Sequence, residues 1–385
     1  MDTNYNEAMI GSIPALSAGE AIEYISNGYI GFISRKRSLK AEATKRKEKA
    51  PCVMLWGQPG VGKSELITEV VNTVAKKTKK KGSITDVRLV LFNPIDLRGI
   101  PVVDSAREFA VWLRPKILDM DAGEDVINLL FLDEITSASL EVQKAAYQLT
   151  LEREIGEHKL PDNCIVAAAG NRPSDKSATK LTPYALSNRM THFEIVSDIE
   201  SWRKWAIEND IDERIIGFLT FKPDRLNTFN PQMPEPAFCT PRTWEMVDYH
   251  IKNHGGDIGN PSLMAWIGGT IGSGAAAEFK TWTKIYDQLP DIRAIFNGEE
   301  FNVPKDTDAI YALISSMAKY ASEHRDDTES IANSIRYAQK LPPDFAMVLM
   351  KDYMYIESDY KLKLMKIPEF SKWLKTYGML LNRII

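Results

Sequence analysis

The residues with the clearest chemical potential lie between positions 57 and 64. Gly57 is separated by four residues from the run Gly62, Lys63 and Ser64, and an apolar segment at 52–56 precedes it. Glycines let backbone amides approach a phosphate, a lysine reaches the β and γ oxygens, and a serine hydroxyl can ligate Mg²⁺. An ordinary glycine turn needs none of these anchors, so the segment predicts a nucleotide-binding P-loop. The residues expected to bind the nucleotide here are Gly57, Gln58, Pro59, Gly60, Val61, Gly62, Lys63, Ser64 and Glu65.

Two acidic residues follow a second apolar segment about 70 residues later. The apolar residues at 129–132 end in Asp133 and Glu134. A carboxylate at the end of a core strand can complete a Mg²⁺ site, and its neighbour can polarise a water molecule for attack on a phosphate. We therefore expect Ser64 and Asp133 to hold the metal and Glu134 to act as the base. The alternative is a pair of ordinary acids at a strand end.

A third apolar segment, at 164–169, is followed by Gly170 and Asn171. An amide at the end of the next core strand can form hydrogen bonds with the attacking water or the terminal phosphate. Asn171 is therefore a catalytic candidate. The competing interpretation is an asparagine in a plain turn.

Two arginines complete the set of candidates. Arg189 precedes the last predicted strand, on the edge of the sheet opposite the P-loop, so it can contribute to hydrolysis only at the site of a neighbouring subunit. Arg242 follows a predicted helix N-cap at Thr240 and a first-turn Pro241, where the helix dipole disfavours a cation unless an anion binds nearby. A solvated surface arginine and a carboxylate-paired arginine are the respective alternatives.

The elements that position these residues follow an alternating pattern of apolar strands and helices up to about residue 197. Uniformly apolar strands are typical of a parallel sheet covered on both faces, so we predict an α/β fold with a five-stranded parallel sheet. The helix after the P-loop should bury Leu66, Ile67, Val70, Val71 and Val74 and end at Gly82. Helical patterns replace strands from 198 onward, with a proline-rich loop at 221–238. The predicted strands lie at 52–56, 88–92, 128–132, 164–169 and 191–195.

Composition narrows the class of protein. The 385 residues are 44% apolar and 26% charged, and 48 basic against 52 acidic residues give a net charge of −4, which argues against a protein built mainly to hold nucleic acid. Cys52, Cys164 and Cys239 have no metal-ligand spacing and are expected to be buried thiols in a reducing compartment. With no basic and apolar leader at its start, the chain is expected to be cytoplasmic. Residues 258–277 are uncharged but rich in glycine, so a turn and a buried helix are expected rather than a membrane span.

The order of the motifs resembles that of the AAA+ ATPases. The finer sequence features are similar to those of the MoxR-like branch, which is related to the ATPase subunits of magnesium chelatase. The residues that carry the resemblance are the P-loop, "LFLDE" (130–134), "AAGN" (168–171), "SNR" (187–189) and "TPR" (240–242), within about residues 12–250. The resemblance implies Walker A roles for Lys63 and Ser64 and Walker B roles for Asp133 and Glu134. Sensor 1, the arginine finger and sensor 2 would be Asn171, Arg189 and Arg242.

The same resemblance implies ATP and Mg²⁺ as cofactors, bound between the subunits of a hexameric ring that remodels a protein client. A protein with a von Willebrand factor A domain is one candidate for that client. The expected domains are an αβα core with an N-terminal helical segment (1–197), a helical lid (198–280) and a C-terminal helical extension (281–385). Insertions at 104–118 and 151–162 are candidate sites of substrate or pore contact, or structural elaborations.

Three questions stay open at the level of sequence. A DNA-acting ATPase is one alternative, because the MCM-type helicases belong to the same clade, although the net charge of −4 argues against it. A slow, ATP-locked scaffold is the other, although it would not need Glu134, Asn171 and Arg189. Arg153 and Arg172 are further candidates for contacts with a neighbouring subunit.

Overall fold

The computed structural model describes residues 13–41, 49–175, 188–233, 235–357 and 359–381. The chain divides into two compact units. The first comprises Met1–Ser197 with Asn230–Pro234, and the second comprises Asp198–Phe229 with Glu235–Ile385. The expected division of the helical part into a lid and an extension stays a prediction.

The first unit is built on a six-stranded parallel sheet with the strand order β1-β10-β2-β9-β6-β3. The predicted P-loop NTPase fold class, with a parallel α/β core followed by helices, is therefore confirmed. The central strands are mostly apolar because both faces are covered: all eight residues of β6 and all seven of β9 are buried. The strands of this sheet are β1 (Ala15–Leu16), β2 (Cys52–Trp56), β3 (Lys81–Arg88), β6 (Val126–Asp133), β9 (Cys164–Gly170) and β10 (Met190–Ile195).

Helices cover both faces of the sheet. Helices α1 and α2 lie on the face that carries Val53 and Leu55, whereas α4 lies on the face that carries Met54. The five apolar residues predicted for the buried side of α2 are all buried, which confirms the amphipathic pattern. The helices of this unit are α1 (Ala18–Ala41), α2 (Lys63–Thr78), α3 (Pro94–Arg98) and α4 (Leu140–Leu151), with 3-10 turns at Leu89–Leu91, Lys116–Leu118 and Pro173–Asp175.

Three local expectations for this unit are wrong. The sheet has six strands rather than five, because the two-residue β1 pairs with β10. The strand expected at 88–92 lies at Lys81–Arg88, since an edge strand pairs on one side only and need not be uniformly apolar. Helix α2 ends before Gly82, with Lys79 in the left-handed conformation at its C-cap (φ 55°), and Gly82 belongs to β3.

Two small antiparallel hairpins lie outside the six-stranded sheet. The first pairs β4 (Ile100–Val103) with β5 (Ala110–Leu113), and the second pairs β7 (Glu154–Ile155) with β8 (His158–Lys159). They fall at or beside the two predicted insertions, 104–118 and 151–162. The backbone amide of Trp112 donates to the carboxylate of Glu157 at 3.5 Å, so the two hairpins meet.

The second unit is entirely helical in its described part. Its first hydrophobic cluster surrounds Phe218, Trp244 and Phe279, and its second surrounds Met317 and Tyr353. The helices are α5 (Ile199–Glu208), α6 (Glu213–Phe221), α7 (Pro241–Asn253), α8 (Pro261–Ile271), α9 (Ser273–Thr283), α10 (Ile292–Phe296), α11 (Thr307–Glu323), α12 (Thr328–Ala338), α13 (Pro343–Tyr355), α14 (Tyr360–Leu364) and α15 (Pro368–Leu381). Short 3-10 turns lie at Pro223–Arg225 and Lys284–Gln288.

Buried polar contacts join the helices of this unit. Arg203 on α5 forms a fully buried ion pair with Asp352 on α13. Burial raises the pKa of Asp352 to about 6, although the charge of Arg203 acts in the opposite direction. The helices after residue 281 are therefore tied to the helix that opens the unit.

The uncharged segment 258–277 forms parts of two helices, α8 and α9, that meet at Gly272 with φ 88°. The expectation of a single buried helix is wrong, because α8 buries only Leu263, Ile267 and Ile271. No helix in the described part of the chain combines the length and the apolar composition that a membrane span requires. Cys52, Cys164 and Cys239 are buried free thiols, as expected.

Candidate nucleotide-binding site

The P-loop joins β2 to α2 with the backbone that a phosphate cradle requires. Gly60 and Gly62 lie in the left-handed region at φ 77° and 89°, where a side chain would be strained. A Cβ atom on Gly57 would lie 2.9 Å from the carbonyl oxygen of Ile195 on β10, so only glycine fits between these two strand ends. Helix α2 begins at Lys63 without a side-chain cap, which leaves its first amides turned toward the loop.

Lys63 links the P-loop to the end of a neighbouring strand. Its Nζ donates to the carbonyl oxygens of Gly57 at 2.8 Å and Gln58 at 3.0 Å, and to Oδ1 of Asn171 at 3.3 Å. Asn171 directly follows β9, which pairs with β2 in the sheet. The predicted lysine and the predicted amide therefore lie side by side.

Ser64 and Asp133 lie together as predicted for two metal ligands. The Ser64 hydroxyl donates to Oδ2 of Asp133 at 3.2 Å. A hydroxyl and a carboxylate are the kind of oxygen ligands that Mg²⁺ takes from a protein when the nucleotide supplies others. Asp86 on β3, which sequence reasoning missed, is a second carboxylate in this region: burial, and then the charge of Asp133, raise its pKa above its ordinary value. Its electrostatic coupling to Asp133 comes from the pairing of β3 with β6, and no motif in the sequence marks it.

The backbone changes direction at Glu134, immediately after β6 ends. Its φ of 54° places it in the left-handed region. This conformation is uncommon for a residue with a side chain, and residues that adopt it cluster at functional sites. Its amide donates to Oδ1 of Asp133 at 2.8 Å, and its carbonyl accepts from Ser137 at 3.0 Å. The half-buried carboxylate therefore sits on a tight turn directly after the proposed metal ligand.

Thr136 is the second residue of this region that sequence reasoning missed. Its side chain is buried, and its hydroxyl accepts a hydrogen bond from the backbone amide of Asn171 at 3.1 Å. The contact joins the turn after β6 to the end of β9. Its largely polar sequence neighbours, in "DEITSAS" (133–139), give it no distinguishing signal.

Arg189 lies away from this cluster, at the amino end of β10. Met190 is level with Cys52 in the sheet, so Arg189 precedes the start of β2 whereas the P-loop follows its end. At about 3.3 Å per residue, the six residues from 51 to 57 span roughly 20 Å. The side chain, which is half-buried, cannot reach the P-loop of the same chain.

The two further arginine candidates are held within their own unit. Arg172 forms ion pairs with Asp175 and Glu194, both at 2.7 Å. Burial lowers the pKa of the Arg172 guanidinium, but its hydrogen bonds to these two carboxylates outweigh burial and raise it. Arg153 is buried and donates to the carbonyl oxygen of Ala50. Both guanidinium groups are therefore engaged by partners of their own unit.

Arg242 belongs to the second unit, in the first turn of α7. The expected N-cap is confirmed: the Thr240 hydroxyl accepts from the amide of Thr243 at 3.1 Å, and Pro241 is the first helical residue. Arg242 is exposed, and within its own unit no described carboxylate forms an ion pair with it. The alternative of a carboxylate-paired arginine is therefore not supported in the described part of that unit.

No family model and no curated protein sequence matches the chain. Among solved structures, a point mutant of Thermotoga maritima RuvB matches with 17% sequence identity and a TM-score of 0.33, over 75% of this chain and 82% of that chain. A Cytophaga hutchinsonii protein named as a candidate ATPase matches with 13% identity and a TM-score of 0.32, over 87% of this chain and 97% of that chain.

The residues present fit a nucleotide with a divalent cation. Gly57 has no room for a side chain, Gly60 and Gly62 have left-handed backbones, the lysine is in place, and the Ser64 and Asp133 oxygens are adjacent. In the residues that the structure describes, no group of three or more His, Cys, Asp or Glu side chains could hold a metal alone.

Proposed function

We propose that this chain is an ATP hydrolase of the AAA+ class that uses Mg²⁺. The observation that carries the proposal is the convergence of Lys63, Ser64, Asp133, Glu134 and Asn171 at the carboxyl edge of one parallel sheet. Ligands bind at this edge in open α/β sheets. Phosphoryl transfer needs positioning and charge stabilisation more than covalent chemistry, and these residue types supply both.

Each side chain has a role that follows from its place. The Lys63 ammonium and the P-loop amides hold phosphate oxygens, and Ser64 with Asp133 would hold Mg²⁺, which supplies neutralisation of the developing charge. The Glu134 carboxylate accepts a proton from the attacking water. The Asn171 amide orients that water or a terminal phosphate oxygen.

Binding can be separated from hydrolysis by calorimetric titration with ATP. Wild-type protein is expected to bind ATP more tightly with Mg²⁺ than without it, and Ser64→Ala should lose most of that difference. Lys63→Ala should abolish binding because the loop then lacks its charge for the phosphates. Lys284→Ala, an exposed lysine of the second unit, is the control and should bind as wild type. Equal affinity in Lys63→Ala and wild type would contradict the proposed site.

We further propose a ring, hexameric by the MoxR-like resemblance, in which Arg189 completes the site of the next subunit. The position of Arg189 about six residues of strand away from its own P-loop supports this arrangement. A head-to-tail interface that closes after a fixed number of subunits is the symmetry that such a contact requires. By the same resemblance, Arg242 is proposed to act as sensor 2.

Light scattering after size exclusion tests the assembly. Glu134→Gln should bind Mg-ATP without turnover and shift from a smaller species to a mass of about six subunits. A monomer with and without Mg-ATP would contradict the ring.

The client of this ATPase is proposed to be a protein, engaged by the hairpin β4–β5. Eight exposed large apolar side chains fall within residues 90–113, among them Ile100, Val103, Phe109 and Leu113, which are 57–67% exposed. Exposed apolar patches typically mark sites of protein interaction. A client with a von Willebrand factor A domain is the candidate that the resemblance offers.

The proposed setting is the cytoplasm, where three buried free thiols would stay reduced.

Crosslinking to a purified client tests the hairpin. Phe109→Ser should weaken the crosslink strongly, whereas Tyr249→Ser, at a similarly exposed aromatic residue outside the hairpin, should not. DNA should not stimulate ATP hydrolysis. Stimulation by DNA with no effect of Phe109→Ser would contradict the protein client and favour a DNA-acting ATPase.

A further inference from the structure

The side chain of Thr136 fills the space between two strand ends of the proposed site. It is 1% exposed, and its hydroxyl accepts the hydrogen bond from the Asn171 amide at 3.1 Å. A Cβ atom on Gly170 would lie 2.5 Å from Cγ2 and 2.6 Å from Oγ1 of Thr136. The fit therefore depends on the threonine on one side and on the absence of a side chain at Gly170 on the other.

The same turn holds the proposed catalytic carboxylate. The Ile135 amide donates to the carbonyl oxygen of Ala169 at 3.0 Å, which ties the start of the turn to β9. The Ser137 amide donates to the carbonyl of Glu134 at 3.0 Å, which closes the turn around the left-handed Glu134. Thr136 thus lies in a turn whose geometry is fixed on both sides.

A continuous set of hydrogen bonds runs from this turn to the P-loop. Thr136 holds the backbone of Asn171, and Oδ1 of Asn171 accepts from Nζ of Lys63 at 3.3 Å. A change in the position of Thr136 would therefore change the distance between the amide of Asn171 and the carboxylate of Glu134. Small misplacements of this kind have large effects on rate when catalysis depends on positioning.

We propose that Thr136 is a positioning residue for hydrolysis: its hydroxyl sets Asn171 at a fixed place relative to Glu134. This inference rests on the proposed function, because it presupposes ATP hydrolysis at this site. Thr136 is buried behind the strand ends and acts on the reaction only through Asn171. Its loss should lower kcat and leave the affinity for ATP almost unchanged, since the P-loop itself is not altered.

The test compares Thr136→Val, which removes the hydroxyl at nearly constant volume, with Thr136→Ser, which keeps it. Thr136→Val should lower kcat about tenfold with an ATP affinity within about twofold of wild type, and Thr136→Ser should restore most of the rate. Thr283→Val is the matched control, because it removes another buried threonine hydroxyl, in the second unit. That control should keep the wild-type kcat. If the valine variant does not fold, Thr136→Ala provides the same comparison.

Two further measurements show whether Thr136 acts through Asn171. Combined with Asn171→Ala, Thr136→Val should cause no additional loss of kcat, because the group that it positions is already absent. Hydrogen exchange of the Asn171 amide in the nucleotide-free protein should be about tenfold faster in Thr136→Val than in wild type. This second readout does not depend on activity.

The outcomes separate the two proposals. A wild-type kcat in Thr136→Val, or an equal loss of kcat in Thr136→Ser, would overturn the positioning role while leaving the proposed ATPase intact. A parallel loss of ATP affinity and kcat would also overturn it, since that result indicates general damage to the site. A wild-type protein without ATP hydrolysis would refute the proposed function and this inference with it, whatever the exchange rate of the Asn171 amide.

Discussion

Replacing Arg189 with alanine is the perturbation that tests the subunit-interface argument most sharply. Arg189 lies level with residue 51, and the P-loop begins at Gly57, about 20 Å further along the sheet at 3.3 Å per residue. An extended arginine side chain covers less than half of that distance. If Arg189 contributes to hydrolysis as proposed, it does so from a neighbouring subunit. We expect Arg189→Ala to bind ATP normally and to lose roughly 10³-fold or more in kcat, as arginine fingers do in related phosphoryl transfers.

Mixing two inactive variants gives the decisive assay. An Arg189→Ala subunit keeps Glu134 in its own site, and a Glu134→Gln subunit supplies Arg189 to the next site. A site is active only when its own subunit keeps Glu134 and the adjacent subunit keeps Arg189. In randomly mixed rings at equal ratio each condition is met about half of the time, so about one quarter of the wild-type rate per subunit should return. Lys284→Ala mixed with Glu134→Gln serves as the control for assembly.

Two results would count against a role of Arg189 at the site of a neighbouring subunit. If Arg189→Ala alone hydrolyses ATP at the wild-type rate, Arg189 takes no part in hydrolysis. Mixtures that stay inactive at every ratio, while the assembly control is active, would count against its action on a neighbouring subunit without excluding it.

The other predictions concern the P-loop and the second unit. Gly57→Ala should weaken ATP binding at least tenfold, because its Cβ would lie 2.9 Å from a backbone carbonyl oxygen of β10. Gly31→Ala is the control: no atom lies near the added Cβ, so this variant should bind ATP as wild type does in the same titration. Burial raises the pKa of Glu213 to about 7 from 4.5, so its contribution to stability is full below pH 4.5 and is lost as the pH rises through 7. Urea unfolding of wild type should therefore lose on the order of 3 kcal/mol across that window relative to Glu213→Gln. Glu299→Gln, at an exposed residue, should follow wild type; a Glu213→Gln profile that also follows wild type would contradict the assignment.

The sequence predicts the centre of the first unit well because local rules determine it. The central strands β6 and β9 are buried on both faces, so their apolar runs end where the strands end, next to Asp133 and Asn171. The P-loop depends on backbone conformations that only its glycines adopt easily, and the spacing of these glycines is visible in the sequence.

The edges of the sheet could not be predicted in this way. Strand β3 pairs with one neighbour, so its exposed side tolerates Lys81 and Asp86, and the apolar residues at 89–91 that resemble a strand form a 3-10 turn. Strand β1 has two residues, and its pairing with β10 depends on backbone hydrogen bonds rather than on side chains. Neither case leaves a pattern that periodicity can detect.

The parts of the candidate site that the sequence did not reveal are contacts between distant segments. Thr136 and Asn171 lie 35 positions apart and meet only because β6 and β9 are neighbours. The engagement of Arg172 with Glu194 likewise depends on the fold. A motif names residue types along the chain, whereas these pairs require the order of the strands.

Phosphate release during steady-state incubation with Mg-ATP is the direct test of ATP hydrolysis at this site. Wild-type protein is expected to release phosphate continuously. Glu134→Gln should bind ATP with near wild-type affinity and show a kcat at least about 100-fold lower, since general-base catalysis typically contributes that much or more. Lys63→Ala should show neither binding nor turnover. Wild-type protein that releases no phosphate, or a Glu134→Gln variant that turns over as fast as wild type, would contradict the assignment of this site as an ATP hydrolase.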